Sequence, residues 1–115
     1  MTHPTLITGN EDKIKEFSNL LGYEVEYEKI ELTEIQSLSV SEVAAKKAQE
    51  AYRLLKKPVF VDDTGFAISA WNGLPGALVA WFTKTVGTEG IIVMAKDLKD
   101  RRVIATTALG YCDEH

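Results

Sequence analysis

Strand-like and helix-like segments alternate along the chain, and that alternation predicts an α/β or α+β domain. Three observations carry the expectation. Residues 5–8, Thr-Leu-Ile-Thr, form a short β-branched run that ends at Gly9. Ile14, Phe17, Leu20 and Leu21 then recur at helical spacing. Val59-Phe60-Val61 and the Val-, Ile- and Thr-rich stretch 102–110 again have strand character. A length of 115 residues suits a single domain over 1–115.

In chain order, 5–8 reads as a buried first strand. Asn10 is a good N-cap, Glu11 and Asp12 put negative charge in the first helical turn, and Gly22 closes the helix. Residues 23–32 read as a strand, because Val25 and Tyr27 alternate with Glu24, Glu26 and Glu28. Residues 33–38 look like a connector. Ser39 with Glu42 matches a capping box. The helix it opens carries Ala44, Ala48, Ala51, Tyr52 and Leu55 on one face and stops before Pro58. Val59–Val61 reads as a buried strand that ends in a polar turn, Asp62-Asp63-Thr64-Gly65. A second short strand is expected over 66–70, followed by a loop at Asn72-Gly73-Leu74-Pro75-Gly76. A helix is expected over 77–86 with Leu78, Trp81 and Phe82 on one side. Thr88 can cap another helix, with Ile91, Met94, Ala95 and Leu98 facing the core. Asp100-Arg101-Arg102 turns the chain into a final strand over about 102–110.

Composition sets limits on function. Hydrophobic residues make up 45% and charged residues 26%, which excludes intrinsic disorder. No apolar run approaches the roughly 18 residues of a membrane span, so no membrane partner is expected. The start, Met1-Thr2-His3-Pro4, has no basic stretch followed by an apolar one, and no secretory signal is expected. The single cysteine, Cys112, allows no internal disulfide and fits a cytoplasmic location. A net charge of -4 makes nucleic-acid binding unexpected. His3, His115 and Cys112 show no ligand or nucleophile pattern. Trp71, Trp81 and Phe82 read as core, with Trp71 a candidate for contact with a base. Lys46-Lys47 and Arg101-Arg102 read as solvated faces.

Three places have the composition for chemistry. At Thr8-Gly9-Asn10-Glu11-Asp12-Lys13 a strand end, a glycine and a helix N-terminus gather free backbone N–H groups, and Lys13 lies in the first helical turn. A phosphate is the natural guest there, and an ordinary capped helix is the alternative. Asp62 and Asp63 stand at the end of an apolar strand, where ligands gather in α/β sheets. A carboxylate there can hold Mg²⁺ and orient a water, and ordinary turn aspartates are the alternative. Adjacent residues of an extended segment point to opposite faces, so the two carboxylates do not aim at one spot. Glu34, alone in its connector, is either a metal ligand or a solvated glutamate.

Taken together, these segments resemble the inosine triphosphate pyrophosphatase family. Thr-Gly-Asn-x-x-Lys-x-x-Glu-Phe over 8–17 is similar to the family's opening motif. Glu34-Ile35-Gln36, then Glu42-Val43-Ala44 with Lys47-Ala48 and Ala51-Tyr52, follow in the family's order. So do Pro58 to Gly65, Asn72 to Gly76 with Trp81-Phe82, and Thr106 to Tyr111. The resemblance implies an α/β fold, an inosine triphosphatase-like mixed sheet flanked by helices, with two lobes and the active site in a cleft between them. It implies hydrolysis of non-canonical purine nucleoside triphosphates (ITP, dITP, XTP) to monophosphate and pyrophosphate with Mg²⁺. Carried over by motif position, Thr8, Gly9, Asn10 and Lys13 would hold the triphosphate and Thr64 would contact it. Glu34 and Asp63 would ligate the metal. Asp63 would also accept the proton of the attacking water, and Asp62 would support the turn.

The resemblance also has an edge. The family's chains continue past the last strand here with a partner strand, a Phe-Gly-Tyr-Asp segment and a late Ser-His-Arg segment that grip the base. None of these is in the sequence. The expectation is a family member cut off at its C-terminal side, with an incomplete second lobe, or a fragment of a longer gene product. Two functional readings follow. One is an active pyrophosphohydrolase. The other is a weak or inactive homologue that binds nucleotide or serves in assembly. The final strand, 102–110, lacks the family's partner strand, and an unpaired apolar edge predicts a homodimer or a strand exchange.

Overall fold

In the computed structural model, β1 (Thr5–Ile7) is buried along its whole length and is flanked by two parallel neighbours. Leu6 and Ile7 pair with Tyr27 and Glu28 of β2 (Tyr27–Glu28). Thr5 and Leu6 pair with Val59 and Phe60 of β3 (Val59–Ile68). A strand buried on both faces reads as a continuous apolar run, which is why Thr-Leu-Ile serves there. The structure describes residues 3–115. Met1 and Thr2, which enter the reading of the chain's start, lie outside the described residues. These residues divide into two compact units. The first holds the chain up to Glu34, Ala44–Asp62 and Leu109–His115. The second holds Ile35–Val43 and Asp63–Ala108.

In the first unit, α1 (Glu11–Leu21) starts and stops where its caps dictate. Asn10 Oδ1 accepts from the Asp12 N–H at 2.9 Å. Gly22, at φ 79°, donates to Ser18 O at 3.0 Å. Its left-handed backbone suits glycine. Ile14 and Phe17 pack with Tyr23 on a core of Leu6, Val25 and Phe60. The Phe17 and Phe60 rings meet edge to face, 5.3 Å apart at 82°. Fully burying a side chain such as Leu6 contributes roughly 2 kcal/mol. The other half of the predicted apolar stripe does not reach this core, since Leu20 is 74% exposed and Leu21 is also exposed.

The strand expected over 23–32 shrinks to the two residues of β2. Val25 explains part of this, because its N–H bonds Ser18 Oγ at 3.1 Å instead of a neighbouring strand. α2 (Val40–Leu55) begins after Ser39, whose Oγ accepts from the Glu42 N–H at 3.2 Å. Only half of the capping box forms. The Glu42 carboxylate accepts from Ser37 Oγ at 3.1 Å, and the Ser39 N–H also goes to Ser37 Oγ. Ala44, Ala48 and Ala51 form the buried stripe of the helix within this unit. Such small side chains admit close approach: a Cβ on Gly110 would collide with the Ala44 carbonyl.

The largest correction concerns Asp62-Asp63-Thr64-Gly65, which is not a turn. β3 runs unbroken through it for ten residues. The second strand expected at 66–70 is the end of β3, followed by a 3-10 turn at Ser69–Trp71. Gly65 is there for close approach. In the second unit its Cβ would lie 3.0 Å from Val40 Cγ1 and 3.1 Å from the Gly76 backbone. The predicted loop supplies β4 (Pro75–Gly76), which pairs antiparallel with Phe66 and Ala67 and makes the sheet mixed. The Leu74–Pro75 peptide is cis.

Helices α3 (Val79–Thr85) and α4 (Gly87–Ala95) follow and pack on each other. Thr88 lies inside α4, and Val86 occupies the N-cap without a side-chain cap. Trp81 is 66% exposed and Met94 is also exposed, so neither is core. Trp71, Phe82, Ile91, Ala95 and Leu98 are half-buried. Arg101 is exposed, as expected, and its Nη1 donates to Ala95 O and Lys96 O at 3.3 and 3.0 Å, closing the C-terminal end of α4. Arg102 forks onto Asp100 at 2.8 and 2.9 Å and holds its carboxyl down at about 2. The final strand, β5 (Val103–Cys112), starts one residue later than expected and ends two later, and it pairs with β3. Among the described residues no helix is long and apolar enough to cross a membrane.

Because Gly110 touches the Ala44 backbone, Gly110→Ala is expected to lower stability by about 1–3 kcal/mol through overpacking. A shift of the urea midpoint at unchanged slope checks this.

Candidate functional site

The first cluster stands where β1 gives way to α1. Thr8 Oγ1 accepts from the Asn10 N–H at 3.1 Å, and Asn10 Oδ1 accepts from the Asp12 N–H at 2.9 Å. These two side chains shape the turn and leave Gly9 exposed at its tip. α1 directs the positive end of its dipole toward this turn, as the sequence predicts. One turn in, Lys13 Nζ lies 3.0 Å from Asp62 Oδ2 and 3.9 Å from Glu16 Oε2. The hydrogen bond to Asp62 raises the pKa of Lys13 above its ordinary 10.5, with burial opposing. Thr8, Gly9, Asn10, Lys13 and Asp62 thus assemble within one unit. Asp62 engages Lys13 and supports no turn, because it stands in mid-strand.

Glu34 is placed by two side chains that sequence reading missed. Lys47 Nζ lies 3.4 Å from Glu34 Oε1. Glu50 holds the preceding residue, accepting from the Thr33 N–H at 2.9 Å and from Thr33 Oγ1 at 3.3 Å. Lys47 is therefore more than a solvated face: its side chain is only 17% exposed, against 48% for Glu34. A signal was available, because residues three apart on a helix share a face and Lys47 and Glu50 have that spacing.

Asp63 and Thr64 belong to the second unit. Oδ2 of Asp63 is buried. Strand alternation sends its side chain to the face opposite that of Asp62. Thr64 is exposed, with its hydroxyl 3.3 Å from that of Thr107. Among the described residues no group of three or more His, Cys, Asp or Glu side chains stands together as a metal cage.

The sequence profile of the Ham1 family matches residues 5–115. The inosine triphosphate pyrophosphatase 2 of Trypanosoma cruzi is 42% identical over 110 residues, which is 94% of this chain and 56% of that protein. The inosine triphosphate pyrophosphatase of Candida glabrata is 34% identical over 123 residues, 99% of this chain and 64% of that protein. The chain thus spans roughly three fifths of these relatives' length. In fold it is similar to the Staphylococcus aureus Ham1 protein, with a TM-score of 0.77 at 24% identity over 96% of this chain and 64% of that one.

The raised pKa of Lys13 has a stability consequence. A cation whose folded pKa exceeds its unfolded one contributes its full stabilisation below the unfolded value, and loses it as pH rises through the folded value. Lys13→Met is therefore expected to cost up to about 1 kcal/mol at pH 8, with the gap to wild type closing only above the ordinary 10.5. Urea titrations across an alkaline pH series measure the gap.

Proposed function

The chain belongs to the Ham1 family, and we propose that it hydrolyses non-canonical purine nucleoside triphosphates (ITP, dITP, XTP) to monophosphate and pyrophosphate with Mg²⁺. One observation carries this reading: Thr8, Gly9 and Asn10 form a turn at the N-terminus of α1, with Lys13 in the first turn of the helix. Backbone N–H groups, a helix dipole and a lysine together suit an anion. We read the two units as parts of one inosine triphosphatase-like domain, with cytoplasmic residence to match its substrates.

The donor chemistry fits the metal. Mg²⁺ takes one or two carboxylates plus waters and substrate phosphates in place of an all-protein cage. Glu34, half-exposed in its connector, and Asp63, with its buried oxygen, are hard oxygen donors of that kind. When bound, Mg²⁺ neutralises phosphate charge and lowers the pKa of water.

The remaining roles fall to the chain's own groups. Lys13 and the α1 N-terminus hold the triphosphate and offset charge as the leaving pyrophosphate departs. The Thr64 hydroxyl offers a further contact to a phosphate oxygen. Asp63 accepts the proton of the water that attacks the α-phosphorus, so the bond to the β-phosphate oxygen breaks and pyrophosphate leaves.

We also infer a homodimer. β5 exposes Val103, Ile104, Leu109 and Tyr111, and among the described residues it pairs with β3. Such an edge invites a second chain. Light scattering is expected to give twice the chain mass, and a monomer mass at every concentration would overturn the dimer.

Pure protein with ITP or XTP and Mg²⁺ is expected to release pyrophosphate, and Asp63→Asn to slow release by about 10²–10⁴-fold. EDTA should stop it. Release no faster than that of Asp63→Asn would replace this reading with a catalytically inert nucleotide-binding or assembly module.

A further inference from the structure

We propose that Asp62 is a positioning residue, which holds the Lys13 ammonium at the N-terminal end of α1 as a pre-placed cation for the triphosphate. The inference deepens the reading above and rests on it.

Register puts the carboxylate at the right level. Leu6 of β1 pairs with Phe60 of β3 in a parallel ladder. Continued two residues beyond Phe60, that register brings Asp62 past the end of β1, level with Thr8, the first residue of the turn. α1 then brings Lys13 back over the same end of the sheet, and Nζ meets Asp62 Oδ2 at 3.0 Å. The two ends of the pair differ in freedom. Asp62 is carried by the interior of a ten-residue strand, with its side chain only 10% exposed. Lys13 is 31% exposed and has four rotatable side-chain bonds. The strand is the fixed point, and the lysine is what it fixes.

A carboxylate beside a phosphate-binding lysine is a poor way to raise affinity, because it repels the same anion. It is a good way to raise precision. A free lysine gives up rotamer freedom when it engages a ligand, whereas a lysine already held has largely lost that freedom. An ammonium carries three N–H donors, so a phosphate oxygen can be added while Asp62 keeps its bond. Strand alternation also separates the duties of the neighbouring carboxylates, since Asp62 and Asp63 leave opposite faces of β3.

The competing account is a purely structural ion pair that ties α1 to the sheet. A double-mutant cycle separates the two, using inorganic tripolyphosphate binding by calorimetry and ITP turnover. Asp62→Asn is expected to bind tripolyphosphate more tightly than wild type, because a competing charge is gone. It should nevertheless turn over ITP about tenfold more slowly, since misplaced groups cost rate. A structural defect would not tighten binding. In a Lys13→Met background the same substitution is expected to leave turnover unchanged and to tighten tripolyphosphate binding less than it does in wild type, since only the direct repulsion of the anion is then relieved. Should Asp62→Asn fail to fold, Asp62→Glu keeps the charge and displaces the ammonium, so kcat should fall at unchanged tripolyphosphate affinity. If wild type binds tripolyphosphate but turns over no purine triphosphate, the functional reading fails and the binding cycle alone decides the pairing. Effects of the two substitutions that simply add, an unchanged kcat in Asp62→Glu, or no tripolyphosphate binding by wild type would each overturn the proposal.

Discussion

Successive side chains of an extended strand leave opposite faces, and β3 stays extended through Asp62 and Asp63. Two carboxylates crowded into one turn would repel each other and compete for the same cation. On a strand each has its own surroundings. Asp62 meets Lys13 in one unit, and Asp63 enters the other with a buried oxygen. At Gly65 the extended strand passes a narrow point, where an added Cβ would lie 3.0 Å from Val40 Cγ1 and 3.1 Å from the Gly76 backbone. A strand that must pass such a narrow point needs glycine there, and the same glycine invites the misreading of a turn.

The ion pairs of the chain differ in what they can do. Arg102 and Asp100 make a well-formed fork, but Arg102 is largely exposed, and solvent screens such a pair. Lys13 and Asp62 sit beside buried β1, and their separation is set by two rigid elements. Lys47 and Glu34 lie between: the lysine is well covered and the glutamate open. Burial of one partner, more than distance, distinguishes an arrangement that fixes a geometry from one that decorates a surface.

Much of the fold was legible in the sequence because the signals were local. Asn10 and Gly22 bound α1 as cap chemistry requires, Ser39 starts α2, and the apolar runs of β1 and β3 are buried. What failed was non-local. Asp-Asp-Thr-Gly is ordinary turn composition, and pairing of β3 with β1, β4 and β5 holds it in an extended strand. Leu20, Trp81 and Met94 have core-like residue types at core-like spacing, yet they remain outside. Tertiary context overrode the pattern in both cases. The turn at Thr8–Asn10 was readable because capping is a matter of neighbours in sequence. The partners of Lys13, Thr33 and Glu34 were not, because Asp62, Glu50 and Lys47 reach them from elements distant in the chain.

The hold of Lys47 and Glu50 on residues 33–34 fixes an order of events as well as a geometry. Thr33 and Glu34 have no helix or strand of their own. Their places are given by side chains one helical turn apart on α2. β1 and α1 lie close together in sequence, and such contacts form early in folding. The placement of Glu34 has to wait until α2 has wound and docked. The Thr8–Asn10 turn needs only neighbours in sequence, whereas Thr33 and Glu34 gain their places only once α2 is there to hold them.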